Sequence, residues 1–184
     1  AIEEYEALGL SIQKYWCYNL AGNLASQTKQ YDSAYEYLHQ SLLSSQRIGK
    51  PYYLSANFFN LGELFLAQQL YKQALPYYWK GVKIDLAIGD TYGQCLYYNR
   101  IGRAYTNMGV YDSAEFYLQK AIKLAPPTSG TDIFRVAFID MADLLHKTGR
   151  SDKAVEYYRQ YNLFSDSLFS KQKVESQAAY QALY

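Results

Sequence analysis

Two histidines, two cysteines and 17 carboxylates are the groups in this 184-residue chain that could transfer a proton or hold a metal. Their spacing favours neither. His39 and His146 lie far apart, without the short interval that places two imidazoles on one ion, and a lone helical histidine reads as structural. Cys17 and Cys95 form neither a zinc motif nor a disulfide framework. Both are expected to be small packing residues, as free cysteine usually is. No glycine-rich phosphate loop, HExxH, CxxC or GxSxG occurs. Nucleophile, base and orienting group cannot be assembled from any local signature. The expectation is a chain that binds rather than catalyses, with no metal and no cofactor.

Charge narrows what it binds. The 18 basic residues nearly balance the 17 acidic ones, leaving a net charge of +1. That surface offers no electrostatic footprint for nucleic acid, and no polybasic segment for a lipid surface. No run approaches the roughly 18 apolar residues of a membrane span. The chain opens on Ala1 and contains no signal peptide, so it reads as a piece of a longer protein.

The elements that must position any site repeat every 40 residues. Tyr98, Gly102, Tyr105, Tyr111, Ala114 and Ala121 return as Phe58, Gly62, Phe65, Tyr71, Ala74 and Gly81. One unit earlier stand Tyr18, Gly22, Ala25, Tyr31, Ala34 and Ser41; one unit later stand Phe138, Ala142, Leu145, Ser151, Ala154 and Tyr161. A fixed period in this range signals a stacked array. Apolar steps of three and four recur twice per unit, which predicts two helices in each. Helices are expected near 10–28, 31–48, 51–69, 71–88, 91–108, 111–124, 131–147 and 151–167.

Gly109 and Gly149 are placed to end a helix in the left-handed conformation. Asp32, Asp112 and Asp152 are placed to cap the next one, with Lys72 the exception in the second unit. Gly22, Gly62 and Gly102 should let paired helices approach, with Ala34, Ala74, Ala114 and Ala154 receiving them. The 22 tyrosines invite a base-stacking reading. Tyr37, Tyr77, Tyr117 and Tyr157 follow the structural period, however, so they are expected to pack.

These residues resemble the tetratricopeptide repeat family. The aromatic–x3–Gly–x2–aromatic step is similar to the first-helix motif, Tyr-Asp-x-Ala to the second, and Pro126 to the closing proline. The resemblance covers residues 15–168, with a period of 40 instead of about 34 and Ala142 replacing the fourth glycine. It implies an all-α, right-handed α–α superhelix of four helix pairs plus a C-terminal helix. Unit boundaries fall at 15–54, 55–94, 95–134 and 135–168. Residues 1–8 are expected to be the tail of an upstream unit, because Gly9 shares the phase of Gly89, and 169–184 a capping or connecting helix.

In that family the first helix of each pair lines a concave face. Helical phase then places Trp16, Asn19, Asn23, Phe59, Glu63, Asn99, Arg103, Ile139, Asp143 and His146 on the inner surface, with Asn60, Arg100 and Asp140 on its flank. Asparagine amides both donate to and accept from a peptide backbone; Arg103 could hold a carboxylate at two points. The family's carboxylate clamp for chaperone tails is not matched, since Asn19 with Asn23, then Phe59 with Glu63, occupy its places.

The segment from Tyr158 to Gln172, running on to Glu175 and Tyr180, is similar to the end of the repeat region in bacterial membrane-bound histidine kinases and helix-turn-helix regulators. That resemblance implies a sensor region on the periplasmic face of the inner membrane, joined to the membrane by a segment outside this chain. Without it a cytoplasmic protein is expected. The ligand expected is a protein or peptide in the groove, and a homodimer through the first helix is a further expectation. The rival reading is a soluble scaffold that assembles a complex without a switch.

Overall fold

The computed structural model describes residues 2–124 and 132–163. They form eight helices in a row: α1 (Ile2–Gln27), α2 (Tyr31–Ile48), α3 (Pro51–Ala67), α4 (Tyr71–Ile88), α5 (Thr91–Asn107), α6 (Tyr111–Leu124), α7 (Asp132–Lys147) and α8 (151–163). Each odd helix packs on the even helix after it, and neighbouring pairs stack. Pro126, the end of the fourth unit and the helix expected over 169–184 lie outside the described residues.

The same turn joins the two helices of every pair. Gln30, Leu70, Val110 and Arg150 each donate their backbone N–H to a carbonyl five residues back, at 2.8–3.0 Å. The residue before each donates to the carbonyl three residues back. This is the double bond of a Schellman ending, which satisfies carbonyls that a helix terminus leaves without partners. Its left-handed position is Gly109 (φ 75°) and Gly149 (φ 75°), as the sequence suggests. In the first two pairs it is Lys29 (φ 61°) and Gln69 (φ 61°), where a side chain is strained by about 1–2 kcal/mol. Gln69→Gly should relieve that strain, less the extra unfolded-state freedom of glycine. A net gain of about 0.5–1 kcal/mol is expected in urea unfolding.

Two expectations about helix ends are corrected. Asp32 and Asp112 do not cap: each is the second residue inside its helix, in the first turn. The N-cap position of α2 is Gln30, which makes no side-chain cap bond. The two carboxylates instead meet the positive end of the helix dipole. The cap that does form is Asp90, whose Oδ1 accepts from the Gly93 N–H at 2.9 Å and starts α5.

The second correction concerns Gly9. Gly49 and Gly89 end their helices in the left-handed region, but α1 runs through Gly9 unbroken. Lys50-Pro51 follows Gly49, and the capping Asp90 follows Gly89, so each glycine is backed by a restart signal. Leu10-Ser11 after Gly9 supplies none. A lone glycine costs a helix only about 1 kcal/mol. Residues 2–8 are thus continuous with the first helix rather than a separate tail.

Within a pair, the close approach falls where the glycines predict. A Cβ on Gly22 or Gly102 would press on Leu38 or Leu118 and on the Ala34 or Ala114 carbonyl oxygen, 3.3 and 3.2 Å away. All four receiving alanines are buried. Tyr77 stacks on Phe65 (5.3 Å, 14°) and Tyr117 on Tyr105 (5.8 Å, 14°), one unit apart, so these tyrosines pack as their phase implies. Tyr37 is instead exposed.

Stacking also explains a misjudged cysteine. Cys95 is buried, its thiol donating to the Ala121 carbonyl at 3.2 Å, and desolvation pushes its pKa up to about 11. Cys17 is exposed. Its counterparts Asn57, Tyr97 and Ala137 are buried. Leu24 is likewise 59% exposed while Leu64, Ala104 and Leu144 are buried at the same position. In the later units the preceding pair covers this face; on α1 no described element does.

Candidate functional site

The first helices α1, α3, α5 and α7 present the predicted inner residues, and links between neighbouring first helices build the floor. Glu63 on α3 receives the Arg100 Nε–H from α5 at 2.9 and 3.0 Å on its two oxygens. Arg100 also donates through Nη1 to Asn99 Oδ1 at 2.9 Å, and its guanidinium stands 5.7 Å from the centre of the Phe59 ring. Asn99, almost fully buried, donates to Asp140 Oδ2 on α7 at 2.9 Å. A polar chain therefore crosses from the second unit through the third to the fourth.

Burial and pairing oppose each other along this chain. Burial works against the Arg100 charge, but Glu63, Tyr78 and Asp140 outweigh it and hold the guanidinium above its ordinary pKa. Burial raises the Asp140 carboxyl despite Arg103, Asn99 and Arg100, which all favour its charged form. Paired, partly buried charges of this kind fix geometry more surely than they add stability.

A second set of links ties first helix to second. The Tyr78 hydroxyl donates to Glu63 Oε1 at 2.6 Å, and the Tyr158 hydroxyl donates to Asp143 Oδ1 at 2.6 Å, two units on at the same positions. Burial first, then Glu63, pushes the Tyr78 pKa up, so the phenol stays protonated and remains a donor. The first and third units carry Leu38 and Leu118 at the tyrosine position.

The sequence-predicted residues divide into two groups. Asn19 and Asn23 join each other, Asn23 Nδ2 donating to Asn19 Oδ1 at 3.1 Å. Phe59, Glu63 and Asn99 belong to the floor. Trp16, Arg103, Asp143 and His146 are exposed above it, and Ile139 is partly buried. A carboxylate is held by Arg100, whose single Nε–H is shared between the two oxygens of this protein's own Glu63. Arg100 and Asp140, read from phase as flanking residues, are central, because the flank of one first helix faces the next. No group of histidine, cysteine and carboxylate side chains suited to a metal ion is formed among the described residues.

Sequence reasoning missed a pocket at one end of this floor. One helical turn from the Glu63–Arg100 pair, a cavity of about 160 Å³ opens between α3 and α5, bounded by the α4–α5 turn. Phe59 and Asn60 border it together with Ser55, Asp85, Tyr97 and Asp90. Asp85 is 2% exposed, and desolvation, against the favourable influence of Ser55, raises its pKa from 3.8 to about 6. These pocket residues are not shared between units. Asp85 falls in the column of Ser45 and Ala125, and Gly93 in the column of Tyr53 and Ile133.

Stacked helix pairs with a polar floor shared between units define a helical-repeat solenoid. Residues 97–128 and 137–162 match the profile of the tetratricopeptide repeat family. A curated relative, the "Uncharacterized protein ycf37" of Guillardia theta, is 31% identical over 119 residues, 64% of this chain and 63% of that protein. Among solved structures, the apo form of RapI superposes with a TM-score of 0.74 at 16% identity, over 85% of this chain and 44% of that one. A Signal Transduction ATPase with Numerous Domains bearing a tetratricopeptide repeat sensor, from Pyrococcus horikoshii, gives a TM-score of 0.73 at 18% identity, over 89% and 25%. A Rap protein complexed with Competence and Sporulation Factor gives 0.59 at 15% identity, over 91% and 58%. This chain thus spans less than two thirds of each of these proteins. At such identities the structural likeness establishes the fold.

Proposed function

We propose that this chain is a noncatalytic module that takes an extended protein or peptide segment in its groove, as the input region of a bacterial signalling or transcription-regulatory protein. The observation that carries the reading is the cross-linked floor from Glu63 through Arg100 and Asn99 to Asp140. A floor whose polar groups satisfy one another is rigid and presents fixed partners. Above it Arg103, Asp143, His146 and Trp16 remain exposed to a ligand. Preorganised donors reduce the ordering cost of binding an extended chain. The Rap protein complexed with a factor, and the ATPase with a repeat sensor, lend support by analogy of fold.

Selection from a peptide display library on the immobilised chain tests this. Enriched peptides are expected to lose tenfold or more in affinity when Arg103 becomes Glu, the scale of one lost charge-assisted hydrogen bond. Peptides that bind Arg103→Glu as well as the parent would overturn the groove assignment. The alternative, a scaffold without a switch, shares the groove and differs in the response. A sensor should alter amide exchange in α7 and α8 when peptide binds near α5; a scaffold should leave them unchanged. The exposed Trp16, Leu20 and Leu24 on α1 support self-association as a further property.

A further inference from the structure

We infer that the cavity between α3 and α5 is a binding site for an organic ammonium group, with Asp85 as its counter-ion and an aromatic wall around it. The inference goes beyond peptide binding in the groove and does not rest on it.

The first observation is shape. About 160 Å³ is small beside the roughly 300–1,000 Å³ of pockets for drug-sized ligands. It admits a head group or the end of one side chain.

The second is the lining. Tyr52 and Tyr92 stand at the same position of neighbouring units, both largely exposed, with Phe59, Leu96 and Tyr97 alongside. Aromatic faces attract a cation through their quadrupole, and more strongly where water is excluded. Neutral apolar ligands would gain from these walls as well, so the walls alone do not select charge.

The third observation selects it. Asp85 borders the cavity and is 2% exposed. Among the described residues no cation pairs with it. It sits in the last turn of α4, where the helix dipole disfavours an anion. Ser55 favours the charged form, and the α5 N-terminus lies close by, since a Cβ on Gly93 would collide with the Asp85 carboxylate. These partners orient the carboxylate without neutralising it, and the nearby Asp90 adds a second negative charge. An ammonium entering from the groove would supply the missing charge. A buried carboxylate that lacks a counter-ion is costly, and a cationic ligand relieves that cost.

The fourth is that the carboxylate is no part of what the repeats share: the places of Asp85 in the neighbouring units hold Ser45 and Ala125.

The shared chemistry fits a small amine or a lysine side chain of a peptide lying in the groove. Titrate the intact chain by NMR with n-butylammonium, choline, n-butanol and Nα-acetyl-lysine methylamide. The ammonium probes are expected to bind at least tenfold more tightly than butanol, shifting resonances of Ser55, Gly93 and Tyr97. Asp85→Asn should erase the preference for the charged probe. Tyr52→Leu, at an exposed site, should weaken ammonium binding about two- to fivefold while the fold persists. A lysine probe tenfold better than butylammonium identifies a peptide as the source; equal or better choline and butylammonium identify a free amine. Butanol binding as well as butylammonium, binding unaffected by Asp85→Asn, or no shifts with any ammonium probe at 20-millimolar excess (roughly the weak end of fragment affinity) would each overturn the assignment. None of these outcomes touches the Arg103 test of peptide binding.

Discussion

Gly81→Ala should lower the stability of this protein by about 1–3 kcal/mol, although it adds one methyl group to a helix. The reason is a bond passed from one unit to its neighbour. In the first pair Ser41 Oγ donates to the Tyr15 carbonyl at 3.2 Å, joining second helix to first. The equivalent place in the second pair is Gly81, which has no hydroxyl to give. The Tyr97 hydroxyl of the following unit occupies the vacated space and donates to the Ser55 carbonyl. A Cβ on Gly81 would lie inside the Tyr97 ring, and that ring is 2% exposed and cannot retreat. Urea unfolding of the single variants and the double variant checks this. Made in a Tyr97→Ala chain, Gly81→Ala should cost almost nothing, since Ala121 and Ala137 coexist, both buried, one unit on. Additive effects would show that the two positions do not meet.

Asp85→Asn should raise stability at pH 7.5 by about 2–3 kcal/mol, the worth of a shift of some two pKa units. The folded-state pKa of about 6 lies above the ordinary 3.8, so the folded protein holds this proton more tightly than the unfolded chain. The stability from this group is fully present below about pH 4 and is lost as pH rises through 6. Asparagine keeps the shape and carries no charge at any pH. Thermal or urea unfolding from pH 4 to 8 should show the parent declining across that window relative to Asp85→Asn, with the two converging at the acid end. Parallel curves would mean that Asp85 stays ionised at no cost. The measurement needs no ligand and is separate from the ammonium titration.

The helices were legible because their cores obey a period that local sequence displays. Apolar steps of three and four, glycine at 109 and 149, and alanine opposite glycine are each readable within one unit. What was illegible depends on neighbours. The Asp32 and Asp112 positions look like caps until the Schellman turn is seen to start the helix one residue earlier. Gly9 looks like Gly89 until the absence of a following cap is weighed. Cys17 looks like Cys95 until one asks which helix covers it.

The groove was half legible for a similar reason. Helical phase sorts Asn99, Arg103 and Asp143 to the inner side of their own helices. It does not say that Arg100 reaches back to Glu63, or that Asn99 spends its amide on Asp140, because those bonds span roughly 40 residues of sequence. The Asp85 pocket escaped because attention to the first helices leaves out the last turn of a second helix.

The Tyr97 bond has a mechanical corollary. It bolts the second unit to the third through a buried hydroxyl, and α4 meets α5 more extensively than α2 meets α3 or α6 meets α7 among the described residues. An array stitched at its waist does not flex evenly like a spring. Bending should concentrate at the outer joints, and the two halves should swing about a stiff middle that carries the ammonium pocket.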